Sequence, residues 1–268
     1  MYPELIRIGP VVIGSYGLML AIAFIVGIFV TTKLSEQRNI DGDRVLNLCF
    51  IILVSAIIGS RLLYVVTHLD EFRGRWLYTF LPVQPDGSIG LNGLIFLGGF
   101  IGALLASLWY VRRRDIPPFK MADSVAPALA LGLFFGRIGC FLNGCCFGKE
   151  CDAAWGMQFP IESPAGFIMG DAVIHPTQLY SSGYALLIFG VLMYLNRKKI
   201  AEGWLAASFL VLYGVARFVV DFFRYYEQEM IVIGGLDWNQ IISLCMIAGG
   251  LVIFFVKKVE NPHPVHWQ

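Results

Sequence analysis

The sequence predicts an all-α integral membrane protein of seven transmembrane helices, with the N-terminus outside and the C-terminus in the cytoplasm. Three observations carry that reading. The chain of 268 residues is 57% hydrophobic and only 15% charged, against about 25% charged in ordinary soluble domains. Its apolar runs reach about 20 residues, enough to cross a hydrocarbon core of about 30 Å. Lysine and arginine also alternate by side along the chain, as the positive-inside rule requires. The net charge of +1 gives no global basic field, which argues against a nucleic-acid partner. The N-terminus, MYPELIRIGP, lacks the basic region and small-residue cleavage site of a signal peptide, so the first apolar segment is read as retained.

The first span covers Tyr16 to Thr32 and is followed by Lys33, Arg38 and Arg44. The second runs from about Val45 to Thr67 and carries Arg61; a polar stretch, His68 to Gly90, follows with Arg73 and Arg75. The third, Leu91 to Val111, contains Gly98, Gly99 and Gly102, small residues that let helices approach closely. A basic loop with Arg112, Arg113, Arg114 and Lys120 comes next, broken by Pro117-Pro118. The fourth span is Met121 to Phe141, and the Gly- and Pro-rich segment Cys145 to His175 follows it with a single basic residue, Lys149. The fifth starts near Pro176 and ends at Asn196-Arg197-Lys198-Lys199. The sixth is Trp204 to Phe223, then come Glu227, Glu229 and Asp237, and the seventh, Trp238 to Val256, closes on Lys257-Lys258. Loops on the cytoplasmic side then hold twelve basic residues and those opposite hold four. The whole chain, 1–268, reads as one polytopic domain with extracytoplasmic segments near 68–90 and 145–175.

Four arginines fall within or at the end of spans: Arg61, Arg137, Arg217 and Arg224. Their helices all run from inside to outside, and at about 1.5 Å per residue the first three reach the outer half of the bilayer. Arg224 comes near the outer interface. Each could snorkel separately to headgroups, but matched depth on separate helices favours one shared anion site. Tyr213, Arg217, Asp221 and Arg224 recur at i, i+4, i+8 and i+11, one helix face, so Asp221 can pair with either arginine. The planar guanidinium fork suits phosphate oxygens better than a lysine does. A phosphate in the outer leaflet is most simply a phospholipid headgroup.

At these residues the chain resembles the prolipoprotein diacylglyceryl transferases. Ser15-Tyr16-Gly17-Leu18-Met19 looks like that family's Tyr-Gly-Leu opening of span one, and Gly59-Ser60-Arg61-Leu62 like its Gly-Gly-Arg-Leu. Gly136-Arg137-Ile138-Gly139, with Phe141 and Asn143, is similar to its signature Gly-Arg-x-x-Asn-Phe-x-Asn-x-Glu-x-x-Gly. His175-Pro176-Thr177-Gln178-Leu179-Tyr180 is close to His-Pro-Ser-Gln-Leu-Tyr. Tyr213-Gly214-x-x-Arg217-Phe218-x-x-Asp221-Phe222-Phe223-Arg224 is nearly the span-six pattern, with Asp where Glu is usual. The resemblance implies transfer of the diacylglyceryl group of phosphatidylglycerol to the lipobox cysteine of a prolipoprotein signal peptide, in the bacterial cytoplasmic membrane and on its outer face. It implies Arg137, Arg217 and His175 as catalytic candidates. Tyr16, Arg61, Asn143, Asp221, Arg224, Gly98 and Gly99 join Arg137 and Arg217 as candidate contacts of the lipid. Neither a cofactor nor a metal is implied.

Three further departures remove polar groups that the resemblance places at the site. Leu97 stands where Phe-His-Gly-Gly supplies a titratable histidine, and Cys140 and Cys145 replace the Asn and Glu of the signature. The base is therefore dispensable or moved, to His175 or to a Cys145 thiolate, or else the chain is a paralogue binding or modifying another lipid or acceptor. His175-Pro176 can equally be the plain start of span five. Cys140, Cys145, Cys146 and Cys151 lack the Cys-x-x-Cys of a thiol relay and the paired spacing of a zinc site. Structural thiols, or one disulfide from Cys145 or Cys146 to Cys151, are expected. A membrane thiol-redox protein and a transporter are the alternatives from other classes. Absence of repeat symmetry and one-sided intramembrane charges argue against the transporter.

Overall fold

A computed structural model describes residues 4–8, 11–72, 95–198, 200–226, 231–233 and 235–260. Two short strands, β1 (Glu4–Ile8) and β2 (Val11–Gly14), pair antiparallel ahead of the first helix. The helices are α1 (Ser15–Glu36), α2 (Gly42–Thr67), the single turn α3 (Leu69–Phe72), α4 (Phe96–Arg113), α5 (Pro118–Asn143), α6 (Pro164–Met169), α7 (Thr177–Arg197) and α8 (Trp204–Asp221). A second antiparallel pair, β3 (Ile231–Ile233) with β4 (Leu236–Asp237), leads into α9 (Trp238–Glu260). Arg73, Arg75, Glu227, Glu229 and the first residues of the expected third span lie outside the described residues.

Among the described residues six helices, α1, α2, α5, α7, α8 and α9, are long and apolar enough to cross a membrane. The expected third span corresponds to α4, which has 18 residues, ends on Arg112 and Arg113, and is not among those six. Phe29, Phe50, Trp109, Leu187 and Phe255 are each more than 60% exposed. Apolar faces left open on that scale suit lipid, not water.

The chain forms two compact units. One comprises Ser35–Pro118. Asp41 caps α2, its Oδ1 accepting from the Asp43 amide at 3.0 Å, and Asp43 adds an acidic group to the positive end of the helix. Helices α2 and α4 pack through glycine. A Cβ on Gly98 would strike the Gly59 carbonyl oxygen, one on Gly99 the Ser60 hydroxyl, and one on Gly102 the Ser55 carbonyl at 2.6 Å. The backbones therefore touch, and a methyl there must push them apart. We expect Gly98→Ala to destabilise the protein by about 1–3 kcal/mol, read as a lowered unfolding midpoint in detergent, whereas Gly27→Ala, in open space, leaves it unchanged.

The other unit comprises Met1–Leu34 and Phe119–Gln268. Ala126, Ala130, Ile188, Leu192 and Phe209 form a buried cluster of α5, α7 and α8, with Tyr184 and Tyr213 packed on its edge. Buried Asp123 of α5 receives the Gly203 amide at 2.7 Å and the Ala206 amide at 2.9 Å, so one helix's carboxylate meets the positive end of α8. Helix α9 starts with a reciprocal cap: the Asp237 carboxylate accepts from the Asn239 and Gln240 amides, and Gln240 Oε1 accepts from the Asp237 amide. Gly214 and Gly250 bring α8 and α9 together.

The segment between α5 and α7 folds over the ends of these helices. Its own small core comprises Phe147, Phe159, Ala165 and Ile174, with Phe141, Met157, Met169 and Tyr225 packed around it. Backbone bonds tie it to the end of α8, Lys149 N to Phe223 O at 2.9 Å and Tyr225 N to Phe147 O at 3.2 Å. Gly148 is required where it stands, because a Cβ would lie 2.6 Å from His175 and 2.7 Å from the Phe223 carbonyl oxygen.

Candidate active site

The face predicted on α8 is built around a buried ion pair. Arg217 Nη2 lies 3.0 Å from Asp221 Oδ1, one helical turn away, with the two side chains 7% and 0% exposed. Arg224 Nη1 stands 4.0 Å from the same oxygen. A charge pair removed from water needs further hydrogen bonds to offset its desolvation, and a tyrosine supplies them. Tyr226 donates its hydroxyl to Asp221 Oδ1 at 2.7 Å and accepts from Arg217 Nη2 at 2.8 Å and Asn239 Nδ2 at 3.1 Å. Its ring also underlies the Arg224 guanidinium at 4.9 Å. Burial pushes the Tyr226 phenol up, against the pull of Arg217 and Arg224. It therefore remains a donor to Asp221. Tyr226→Phe is expected to lower stability by about 1–3 kcal/mol through the hydrogen bonds to Asp221, Arg217 and Asn239 that it removes, measured by thermal unfolding in detergent.

This network does not exhaust its own donors. Arg217 Nη1 and Arg224 Nε are buried without a hydrogen-bond partner among the described residues, and Asp221 Oδ2 is likewise unmet. Buried guanidinium donors left open are rare in finished protein interiors. They are what a bound anion would use.

Arg137, half-buried on α5, makes no hydrogen bond or ion pair among the described residues. It lies in the field of Tyr184, Tyr213, Cys140 and Cys146. Tyr184 feels both Arg137 and Arg217, so the two arginines share one neighbourhood. The Tyr184 and Tyr213 rings meet at 6.0 Å between them. Tyr16 reaches the same region from α1, its ring packed where Gly139 leaves space, within electrostatic range of Arg137 and of Cys140, Cys145 and Cys146.

Helix α5 ends in a glycine turn that gathers the cysteines. Gly144 takes the left-handed φ of 74°, its amide bonds Phe141 O at 3.1 Å, and the Cys145 amide bonds Cys140 O at 3.1 Å. This pattern folds the chain back over the last helical turn. Cys146 also has a positive φ, 61°. Helix α7 pins the turn, with Thr177 Oγ1 donating to Cys146 O at 3.0 Å and Gln178 Nε2 to Cys145 O at 2.8 Å. The sulfurs of Cys140, Cys145 and Cys146 all lie within 4.8 Å of one another. The Asn143 side chain lies near enough to act on the Cys145 thiol. Hydrogen bonds from Cys140 and Cys145, then the charges of Arg224 and Arg137, hold the Cys146 thiol well below the ordinary thiol range despite burial. All six cysteines are free thiols, so the disulfide to Cys151 is not formed.

The structure thus brings together Arg137, Arg217, Asp221, Arg224, Tyr16 and Asn143. His175 lies apart in its bonding. Its Nδ1 is 3.0 Å from Tyr180 Oη, which also accepts from Trp155 Nε1 at 2.8 Å, and its ring stands edge-on to Phe223. Arg61, Gly98 and Gly99 belong to the other unit, where Arg61 lies over the Tyr64 ring at 5.7 Å and both glycines face α2. Sequence reasoning missed Tyr226, Asn239 and Tyr184. For Tyr184 a signal existed, since Thr177, Gln178, Ser181 and Ser182 make a buried polar stripe on its helix.

The chain matches, over residues 3–256, the family model described as prolipoprotein diacylglyceryl transferase. Among curated relatives, a phosphatidylglycerol–prolipoprotein diacylglyceryl transferase of Clostridium tetani is 30% identical over 97% of this chain and 100% of its own length. One from Aliivibrio fischeri is 32% identical, covering 98% and 91%, and one from Bordetella avium 33%, covering 94% and 93%.

Proposed function

We infer that this chain, which belongs to the prolipoprotein diacylglyceryl transferase family, transfers the diacylglyceryl group of phosphatidylglycerol to prolipoproteins. The observation that carries the site assignment is the set of unmet guanidinium donors on Arg217 and Arg224, beside an Arg137 with no protein partner among the described residues. In the reaction, the sulfur of the acceptor's lipobox cysteine bonds to a glyceryl carbon while that carbon's bond to the phosphate oxygen breaks. Glycerol phosphate departs, and the thiol proton goes to a base. Charge grows on the leaving phosphate, so Arg137 and Arg217 act where they stabilise the transition state more than the bound lipid. Asp221 and Tyr226 fix the Arg217 fork. Tyr16, Asn143 and Arg224 contact the lipid headgroup. Arg61, Gly98 and Gly99 enter this proposal on the resemblance, and Arg61 also on its depth in the sequence.

The protein is proposed to cross the bacterial inner membrane seven times, with α4 as the additional span, the N-terminus outside and the active face toward the outer leaflet. The basic loops support this orientation. His175 is proposed as the base that Leu97 does not supply. Its Nδ1 contact with the Tyr180 hydroxyl fixes the ring. With His175 in that role, Leu97→His is expected to leave turnover near its present value. A rise towards the about 10²–10⁴-fold that a positioned base contributes would show that the role is vacant and remove His175 from it. Phosphatidylglycerol binding without release of glycerol phosphate would instead support a non-catalytic paralogue.

A further inference from the structure

We propose that Cys140, Cys145 and Cys146 form a binding site for one thiophilic d¹⁰ metal cation, Zn²⁺ or Cu⁺. Three sulfurs within 4.8 Å of one another fit a single ion, because ligands at about 2.3 Å from zinc stand about 4 Å apart. An all-sulfur donor set selects these soft cations over Mg²⁺ or Ca²⁺.

The chain holds this arrangement by its backbone. The glycine turn at the end of α5 returns Cys145 over Cys140, and Cys146 adopts a left-handed backbone costing about 1–3 kcal/mol for a side-chain-bearing residue. The carbonyls of both are tied to α7 through Thr177 and Gln178, so the turn is set before any ion arrives. Asn143 lies within reach of Cys145, on the side from which an outer-shell partner would act. Charge also balances. Three thiolates with Zn²⁺ leave one negative charge, and Arg137 and Arg224 lie within electrostatic range of Cys146. Cys151 is outside the cluster, and no histidine joins it among the described residues. A three-thiolate site leaves a tetrahedral ion one position for water or another donor. None of the three cysteines is assigned to the phosphate clamp, so the metal site and the transferase reaction can stand or fall separately.

The test is metal binding to the full-length protein, purified reduced and metal-free in detergent. Zn²⁺ and, separately, Cu⁺ are titrated against a chromophoric chelator. Cd²⁺ is used to count thiolates through the sulfur-to-metal charge-transfer absorbance. One ion per chain with three thiolates is expected for either cation. Cys146→Ser and Cys140→Ser should weaken binding by more than the roughly 10- to 100-fold that outer-shell changes cost, while Cys245→Ser, on α9, should not change it. Thermal unfolding of each variant separates ligand loss from misfolding. Binding well below one ion per chain, or binding that survives Cys146→Ser, overturns the proposal. So does a disulfide among the three cysteines that persists in the protein as isolated and is required for its folding.

Discussion

Arg137→Ala is expected to abolish turnover, by at least about 10²–10³-fold, while the protein still inserts and folds. The magnitude is that of removing one preorganised donor to a charge that develops in the transition state. The fold should tolerate the change because Arg137 makes no hydrogen bond or ion pair among the described residues, so no buried partner is orphaned. Loss should appear in kcat and in kcat/KM together, the mark of an interaction made in the transition state. The measurement is glycerol phosphate release from vesicles containing phosphatidylglycerol, with thermal unfolding as the control. Near-normal release would remove Arg137 from the phosphate clamp.

Arg217→Ala should have two effects at once. Its side chain is buried against Asp221 and Tyr226, so truncation leaves the buried carboxylate with only the more distant Arg224, 4.0 Å away, to balance its charge. Breaking a buried pair from one side costs about 3–5 kcal/mol, and the unfolding midpoint should fall sharply along with activity. The two effects can be separated. Arg217→Ala combined with Asp221→Asn removes the orphaned charge, and should recover much of the stability but none of the turnover. Asp221→Asn alone should cost less than either arginine, because Tyr226 and Arg224 still hold the neighbouring groups. Full activity in the stabilised double variant would show that Arg217 serves folding only.

The legible parts of the chain were those written in spacing. The i, i+4, i+8 face of Tyr213, Arg217 and Asp221 fixes its own geometry, since a helix admits one arrangement of that pattern. Arg224, expected on the same face, lies three residues past the end of α8 and is held near Asp221 by the turn there. The Gly98, Gly99 and Gly102 run likewise indicated close helix packing, and the structure supplies its partner in Gly59, Ser60 and Ser55. What escaped were contacts made after the chain turns. Tyr226 lies beyond the end of α8 and reads in sequence as an interfacial aromatic, yet it is the hub that joins Arg217, Asp221 and Asn239. Asn239 sits in the opening turn of α9, where a polar residue usually belongs to a cap.

The cysteines show the same limit differently. Cys140-x4-Cys145-Cys146 lacks the spacing that suggests a metal or redox site, and linear spacing is a poor guide when a left-handed glycine reverses the chain between two of the residues. Gly144 does that, and Cys146 adds a second positive φ that its sequence gives no reason to expect. The β1–β2 hairpin is not legible in the sequence because its strands are only five and four residues long and run straight into the first apolar span.

The most direct measurement is turnover by the purified protein in phosphatidylglycerol vesicles with a lipobox peptide, following glycerol phosphate release and peptide mass together. The expected result is a diacylglyceryl mass increase on the peptide cysteine, matched by glycerol phosphate, and lost in Arg137→Ala. Binding of phosphatidylglycerol with neither release nor mass change would contradict the assignment of transferase chemistry to this chain.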